Sequence, residues 1–135
     1  MVLEVRAGLG VGPFVLGESR AQIAVTAGAG KELVKVPGYP PVLVYEDLGV
    51  LLHFSGESLS LIEVGGRAQA AYDGIPLLHR PLREVIRDLS RRGIDVDRDE
   101  QGAEATAIGL GLYAPVEIVE GVAVSPIERM TTPPS

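Results

Sequence analysis

The chain has no cysteine and no tryptophan, and only 4% of its residues are aromatic. Without cysteine there is no disulfide framework and no thiolate metal site, which excludes a secreted, disulfide-stapled mini-protein. Base is also scarce: 12 Lys and Arg stand against 18 Asp and Glu, a net charge of −6. The deficit is even, with 4 basic and 7 acidic residues up to Gly66 and 8 and 11 beyond it. Nucleic-acid binding draws on phosphate neutralisation and base stacking, and this composition supplies neither. No run approaches the roughly 18 uninterrupted apolar residues of a membrane span. The opening MVLEVRAGLG carries Glu4 and Arg6 and lacks the apolar core of a signal peptide. A cytoplasmic protein with neither membrane nor nucleic acid as partner is expected.

What the chain does have is aliphatic material. Of 135 residues, 46% are hydrophobic, and mean hydropathy is +0.24, enough for one packed domain with an aliphatic core. Seventeen glycines and ten prolines imply many turns, which suits short strands.

An internal repeat organises these turns. GPFVLGESRAQI (12–23) lies over IPLLHRPLREVI (75–86), LGVLL (48–52) over IGLGL (108–112), and IEV (62–64) over VAV (122–124). The unit reads as an apolar lead, a helix, a loop and a meander of strands. The first helix is expected over 19–27, opened by a Ser19–Gln22 capping box and stopped by Gly28 and Gly30. The second is expected over 81–92, with Pro81 in its first turn and Gly93 after its last. Its apolar positions Leu82, Val85, Ile86 and Leu89 form one stripe. Arg80, Arg83, Arg87 and Arg91 lie opposite, among Glu84 and Asp88, as a self-neutralising solvated face.

Strands are expected over 42–47, 50–55 and 58–64, with Gly56-Glu57 as a tight hairpin turn. A two-residue turn sets a register in which Phe54 faces Leu59, Leu52 faces Leu61 and Val50 faces Glu63. Phe54, Leu52, Leu59 and Leu61 then face the helices. Val44, Glu46, Leu51, His53, Ser60 and Ile62 form the free face, the mixed apolar and polar surface that an interface requires. Glu introduced at Leu51 or Ile62 is expected to disrupt association while the monomer stays folded.

Motifs that suggest catalysis do not hold. Gly17-Glu18-Ser19-Arg20-Ala21 resembles a nucleophile elbow, yet 135 residues cannot build the large sheet that delivers the elbow's His and acid. Ser19 is read as a helix cap. GLGVG (8–12) has Pro13 or Val15 where a dinucleotide fingerprint needs its third glycine. GAGKE (28–32) has Val25 and Glu32 in place of the P-loop's first Gly and its Ser/Thr. Asp95, Asp97 and Asp99 occupy the first calcium-loop positions, but Glu100 and Thr106 replace the required Gly and Glu, leaving at most a weak cation contact. His53 and His79 form no metal-ligand spacing. No catalytic residue, cofactor or metal is expected.

The lead G-x-G-P-F-x-x-G-x-S (10–19), the D-L-G-V turn (47–50) and the closing IEV resemble a group of small actinobacterial proteins. Two helix-plus-sheet units in tandem are similar, at the level of architecture, to the β-lactamase inhibitory protein, which binds its target across a sheet. The resemblance implies a binder and carries no catalytic residue. The expected fold is α+β, a tandem duplication of a helix-plus-antiparallel-meander unit, with both helices on one face of a shared antiparallel sheet. One domain covers 1–130, its repeats at about 8–66 and 71–128, and 131–135 form a disordered tail. The expected function is a non-catalytic, immunity-like or inhibitory interaction module whose partner is another protein or a second copy. The alternative is a small-ligand-binding domain or enzyme whose site forms only in three dimensions, from residues such as His53, Glu46 and Tyr45.

Overall fold

Among the described residues, two short helices and thirteen strands make up most of the structure. The structure, a computed structural model, describes residues 2–34, 37–38 and 41–127; the expected tail lies outside them. The first half contains β1 (Val2–Arg6), β2 (Gly10–Val11), β3 (Phe14–Val15), α1 (Arg20–Ala27), β4 (Lys31–Leu33), β5 (Val42–Tyr45), a 3₁₀ turn (Glu46–Leu48), β6 (Val50–Ser55) and β7 (Ser58–Gly65). The second contains β8 (Gln69–Tyr72), β9 (Ile75–Pro76), α2 (Leu82–Arg91), β10 (Asp97–Asp99), β11 (Gly102–Ala105), a 3₁₀ turn (Thr106–Ile108), β12 (Leu110–Tyr113) and β13 (Gly121–Val124). The fold is mixed α+β. An antiparallel sheet of eight strands runs β10-β11-β12-β13-β7-β6-β5-β4. A second sheet runs β3-β2-β1-β8-β9 and contains one parallel pair, β1 with β8.

Local chemistry sets the helix ends. Ser19 is extended, its Oγ accepts from the Gln22 N–H, and Gln22 Oε1 accepts from the Ser19 N–H, both at 3.2 Å. The box satisfies two backbone donors at once, and the Gly28 N–H donates to the Ala24 carbonyl at the other end. Ser19→Ala is expected to lower stability by about 1 kcal/mol in urea unfolding. In α2 the cap position is Pro81, which has no side-chain acceptor. The Leu82 N–H instead donates to the Glu117 carbonyl at 2.9 Å. Leu82, Val85 and Leu89 are buried, while Arg80 on the wet side reaches Asp88 at 2.8 Å and Glu84 at 3.6 Å.

One aliphatic cluster joins both sheets and both helices. Ile23, Val85 and Leu89 from the helices and Val5 and Val11 from the smaller sheet pack with Val50, Leu52, Val64 and Val122 of the larger one. Phe14 meets Tyr45 at 5.1 Å between ring centres, and the Tyr45 hydroxyl donates to the Gly28 carbonyl at 2.8 Å. Burial raises the Tyr45 pKa above its ordinary 10.0, because the phenolate loses solvation. A raised pKa favours the folded state while the phenol is neutral. That contribution is complete below pH 10 and is lost as pH climbs towards the folded-state value. Tyr45→Phe is expected to cost about 1 kcal/mol at pH 7 and to flatten the stability loss above pH 10, both read from urea melts.

The β6–β7 hairpin departs from its expected register. Gly56 has φ 62°, and Phe54 pairs with Leu59 as the turn requires. The ladder then slips: His53 pairs with Leu61, Leu52 with Ile62 and Val50 with Val64, leaving Ser60 as a bulge. One extra residue reverses which side every later side chain takes. Ile62 therefore joins the core with no exposed surface, and Leu61 turns outward beside His53. The expected placement of Ile62 on the free face is overturned. The bulged Ser60 hydroxyl donates to the His53 carbonyl at 3.2 Å. Phe54 is half-buried under the Arg20 guanidinium, 4.1 Å above its ring.

Candidate binding trough

Alternation leaves one side of the eight-stranded sheet facing away from the core. Paired residues line up across that side in rows. One row runs Asp97, Glu104, Gly111, Ala123, Glu63, Leu51, Val44 and Lys31. Its neighbour runs Asp99, Gly102, Tyr113, Gly121 and Gly65. Where glycines and Ala123 meet in the middle, the surface sinks into a trough of about 650 Å³. Gly65, Gly111, Gly121 and Ala123 form its floor, with Leu51, Glu63, Tyr113 and Glu104 around it. The β10–β11 turn, Asp99 to Gln101, closes one side, and Asp99 Oδ1 accepts the Gln101 N–H at 2.8 Å.

The residues expected on the free face are distributed as follows. Leu51 lines the trough, and Val44 lies next to it on the same row, half-buried. His53 is on the adjoining row and contacts the Glu63 carboxylate. Ser60 is at the bulge, and Glu46 is exposed in the 3₁₀ turn, 3.7 Å from Lys31. Ile62 is in the core. Sequence reasoning missed Glu104, Tyr113 and the Asp99–Gln101 turn, all from the second half. The available signal was Gly-Leu-Gly-Leu-Tyr (109–113), whose alternation puts leucines inward and leaves Gly111 outward.

Other candidates acquire structural roles. The Ser19 hydroxyl is committed to the helix cap, and Lys31 belongs to an edge strand. Among the described residues, no group of three or more His, Asp and Glu could hold a metal ion. A second hollow of about 210 Å³ lies against Leu3, Leu48 and Arg67. No described helix is long and apolar enough to cross a membrane. No protein-family model, curated protein or solved structure matches the chain.

Proposed function

We propose that the chain is a non-catalytic interaction module that works in the cytoplasm and binds a protein partner across the open face of its larger sheet. The trough is the seat of that contact. The observation that carries this reading is Gly111. A Cβ there would meet Ala123 Cβ at 3.6 Å, an ordinary contact, so a side chain would fit. Glycine inside a strand costs roughly 0.5–1 kcal/mol in chain entropy. Its presence keeps the floor low at the expense of stability, as expected where another backbone approaches closely.

The same proposal treats the chain as a tandem duplication with its helices on one face of a shared sheet, an architecture similar to that of the β-lactamase inhibitory protein. Support comes from element order. Strand, helix, short edge strand, strand, 3₁₀ turn, strand and strand occur in that sequence twice. The glycines ending the two 3₁₀ turns have φ, ψ of 67°, 34° at Gly49 and 65°, 34° at Gly109. β7 and β13, the last strands of the two series, pair at the centre of the sheet.

A small-ligand site is the second reading, and the trough's volume favours it, since such pockets run to roughly 300–1,000 Å³. Against an enzyme, no Ser, Thr, Lys or His is among the described residues that line the trough with its carboxylates, and Tyr45 with its raised pKa lies on the inward side. Gly111→Val tests the site. It is expected to raise stability by about 0.5–1 kcal/mol while weakening capture of peptides selected on the unaltered chain about tenfold or more. Peptides held equally well by both forms would place binding elsewhere.

A further inference from the structure

The trough's walls carry acid. Glu104 stands at one end and Glu63 one strand short of the other, Asp99 and Glu100 close one side, and no lysine or arginine is among the described residues that line it. Next to it Asp97 lies directly opposite Glu104. Like charges so opposed weaken a strand pair, and these two have their side chains on the same open side. His53 contacts Glu63 from the adjoining row, and Lys31 at the far end of the sheet stands by Glu46. Between the carboxylates the surface is Gly111 and Ala123, with Leu51 and Tyr113 beside them.

Spacing turns this charge pattern into a ligand description. Glu104 and Glu63 are three strand steps apart, about 14 Å along the backbone row. From β11 to β6 the trough crosses roughly 19 Å, the reach of about six extended residues. We infer that its occupant is a cationic segment of a partner protein, an extended stretch whose trough-facing positions carry arginine or lysine at i and i+4, about 14 Å apart, and apolar side chains at i+2 and i+6. This rests on the binding reading above and names the chemistry of the partner. Guanidinium or ammonium groups meet Glu63 and Glu104 and relieve the repulsion between Asp97 and Glu104, arginine doing so with two parallel hydrogen bonds. The apolar side chains settle against Leu51, Ala123 and Tyr113.

A second copy of this chain is a poor occupant. A two-fold interface sets one patch against itself. Here that brings carboxylates onto carboxylates in a chain already carrying −6.

Three displayed libraries of twelve-residue peptides, matched in apolar content, test the assignment. One carries Arg and Lys, one Asp and Glu, and one Ser and Asn. Each is selected on the intact chain, on Gly111→Val and on the double variant Glu63→Gln/Glu104→Gln, with folding checked by circular dichroism. The cationic library is expected to enrich about tenfold or more over the others on the unaltered chain. That advantage should disappear on the double variant and in about 0.5 M salt. Equal enrichment of all three libraries, still lost on Gly111→Val, overturns the charge assignment and leaves the face as the site. Enrichment indifferent to Gly111→Val, or none from any library, overturns both. If the double variant does not fold, Glu104→Gln alone carries the comparison, because that side chain is exposed.

Discussion

Ile62→Glu is expected to unfold the chain, whereas Leu51→Glu is expected to leave it folded. The two positions lie on neighbouring strands, with Leu51 paired to Glu63, the residue after Ile62. Ile62 has no exposed surface and packs in the core beside its pair, Leu52. Losing the isoleucine there costs about 2–5 kcal/mol. Burying a carboxylate with no partner adds several more. The sum reaches the roughly 5–15 kcal/mol that holds a domain of this size together. Leu51 is half-buried on the open side, so a glutamate can turn its charge to water. Repulsion from Glu63 directly across the ladder limits the expected loss to about 1 kcal/mol. Circular dichroism and urea melts of both variants decide the matter. Ile62→Val is the milder companion, expected to fold with a loss of about 0.5–1.5 kcal/mol. Equal tolerance of glutamate at both sites would mean that the strand keeps the bulge-free register.

That contrast marks where the sequence stops being legible. The turn at Gly56-Glu57 and the first pair beyond it follow from local residues. The slip at Ser60 does not, because Leu-Ser-Leu-Ile-Glu-Val satisfies both registers until the partners of Ile62 are known. Leu52 and the neighbouring β13 strand select the register that buries Ile62, and β13 is some sixty residues away in the chain. Helices were easier, since Ser19, Gln22 and Gly28 act within one or two turns of one another, and so do Leu82, Val85 and Leu89. The edge strands β4 and β10 are exposed along their whole length and charged at every position but Leu33, so no apolar alternation announces them. Short charged edges discourage further pairing, which is why such segments read as loops. The parallel pairing of 2–5 with 69–72 has no local signal at all.

The trough was half legible for the same reason. Leu51 and His53 come from the strand whose alternation is plainest. Their neighbours across the sheet, Ala123 and Gly111, are supplied by pairing between β7 and β13, and then between β13 and β12. A glycine in a strand carries no side chain to read, and its meaning appears only when three of them, Gly65, Gly111 and Gly121, share one hollow.

Gly49→Ala and Gly109→Ala are expected to be about equally destructive. Each residue ends a 3₁₀ turn in the left-handed region, and its N–H donates three residues back, to Glu46 and Thr106 respectively. Alanine there costs about 1–2 kcal/mol from Cβ crowding alone. Space adds to the penalty. A Cβ at Gly109 would stand 2.2 Å from the Ser125 carbonyl oxygen, and one at Gly49 would stand 2.5 Å from that of Gly65. These obstacles are backbone, so the next strand must move, at roughly 1–3 kcal/mol. Moving it strains the 2.9 Å bonds by which the Gly65 and Ser125 N–H groups reach the Gly49 and Gly109 carbonyls. Each variant should therefore lose about 3–5 kcal/mol in urea melts. Gly93 has a positive φ but open space around it, so Gly93→Ala should lose only the conformational part, about 1–2 kcal/mol. The matched loss at Gly49 and Gly109 follows from one device used twice, as a duplicated unit requires. A severe loss at one glycine with tolerance at the other would show that the two turns hold their strands by different means, and the tandem reading would lose its best support.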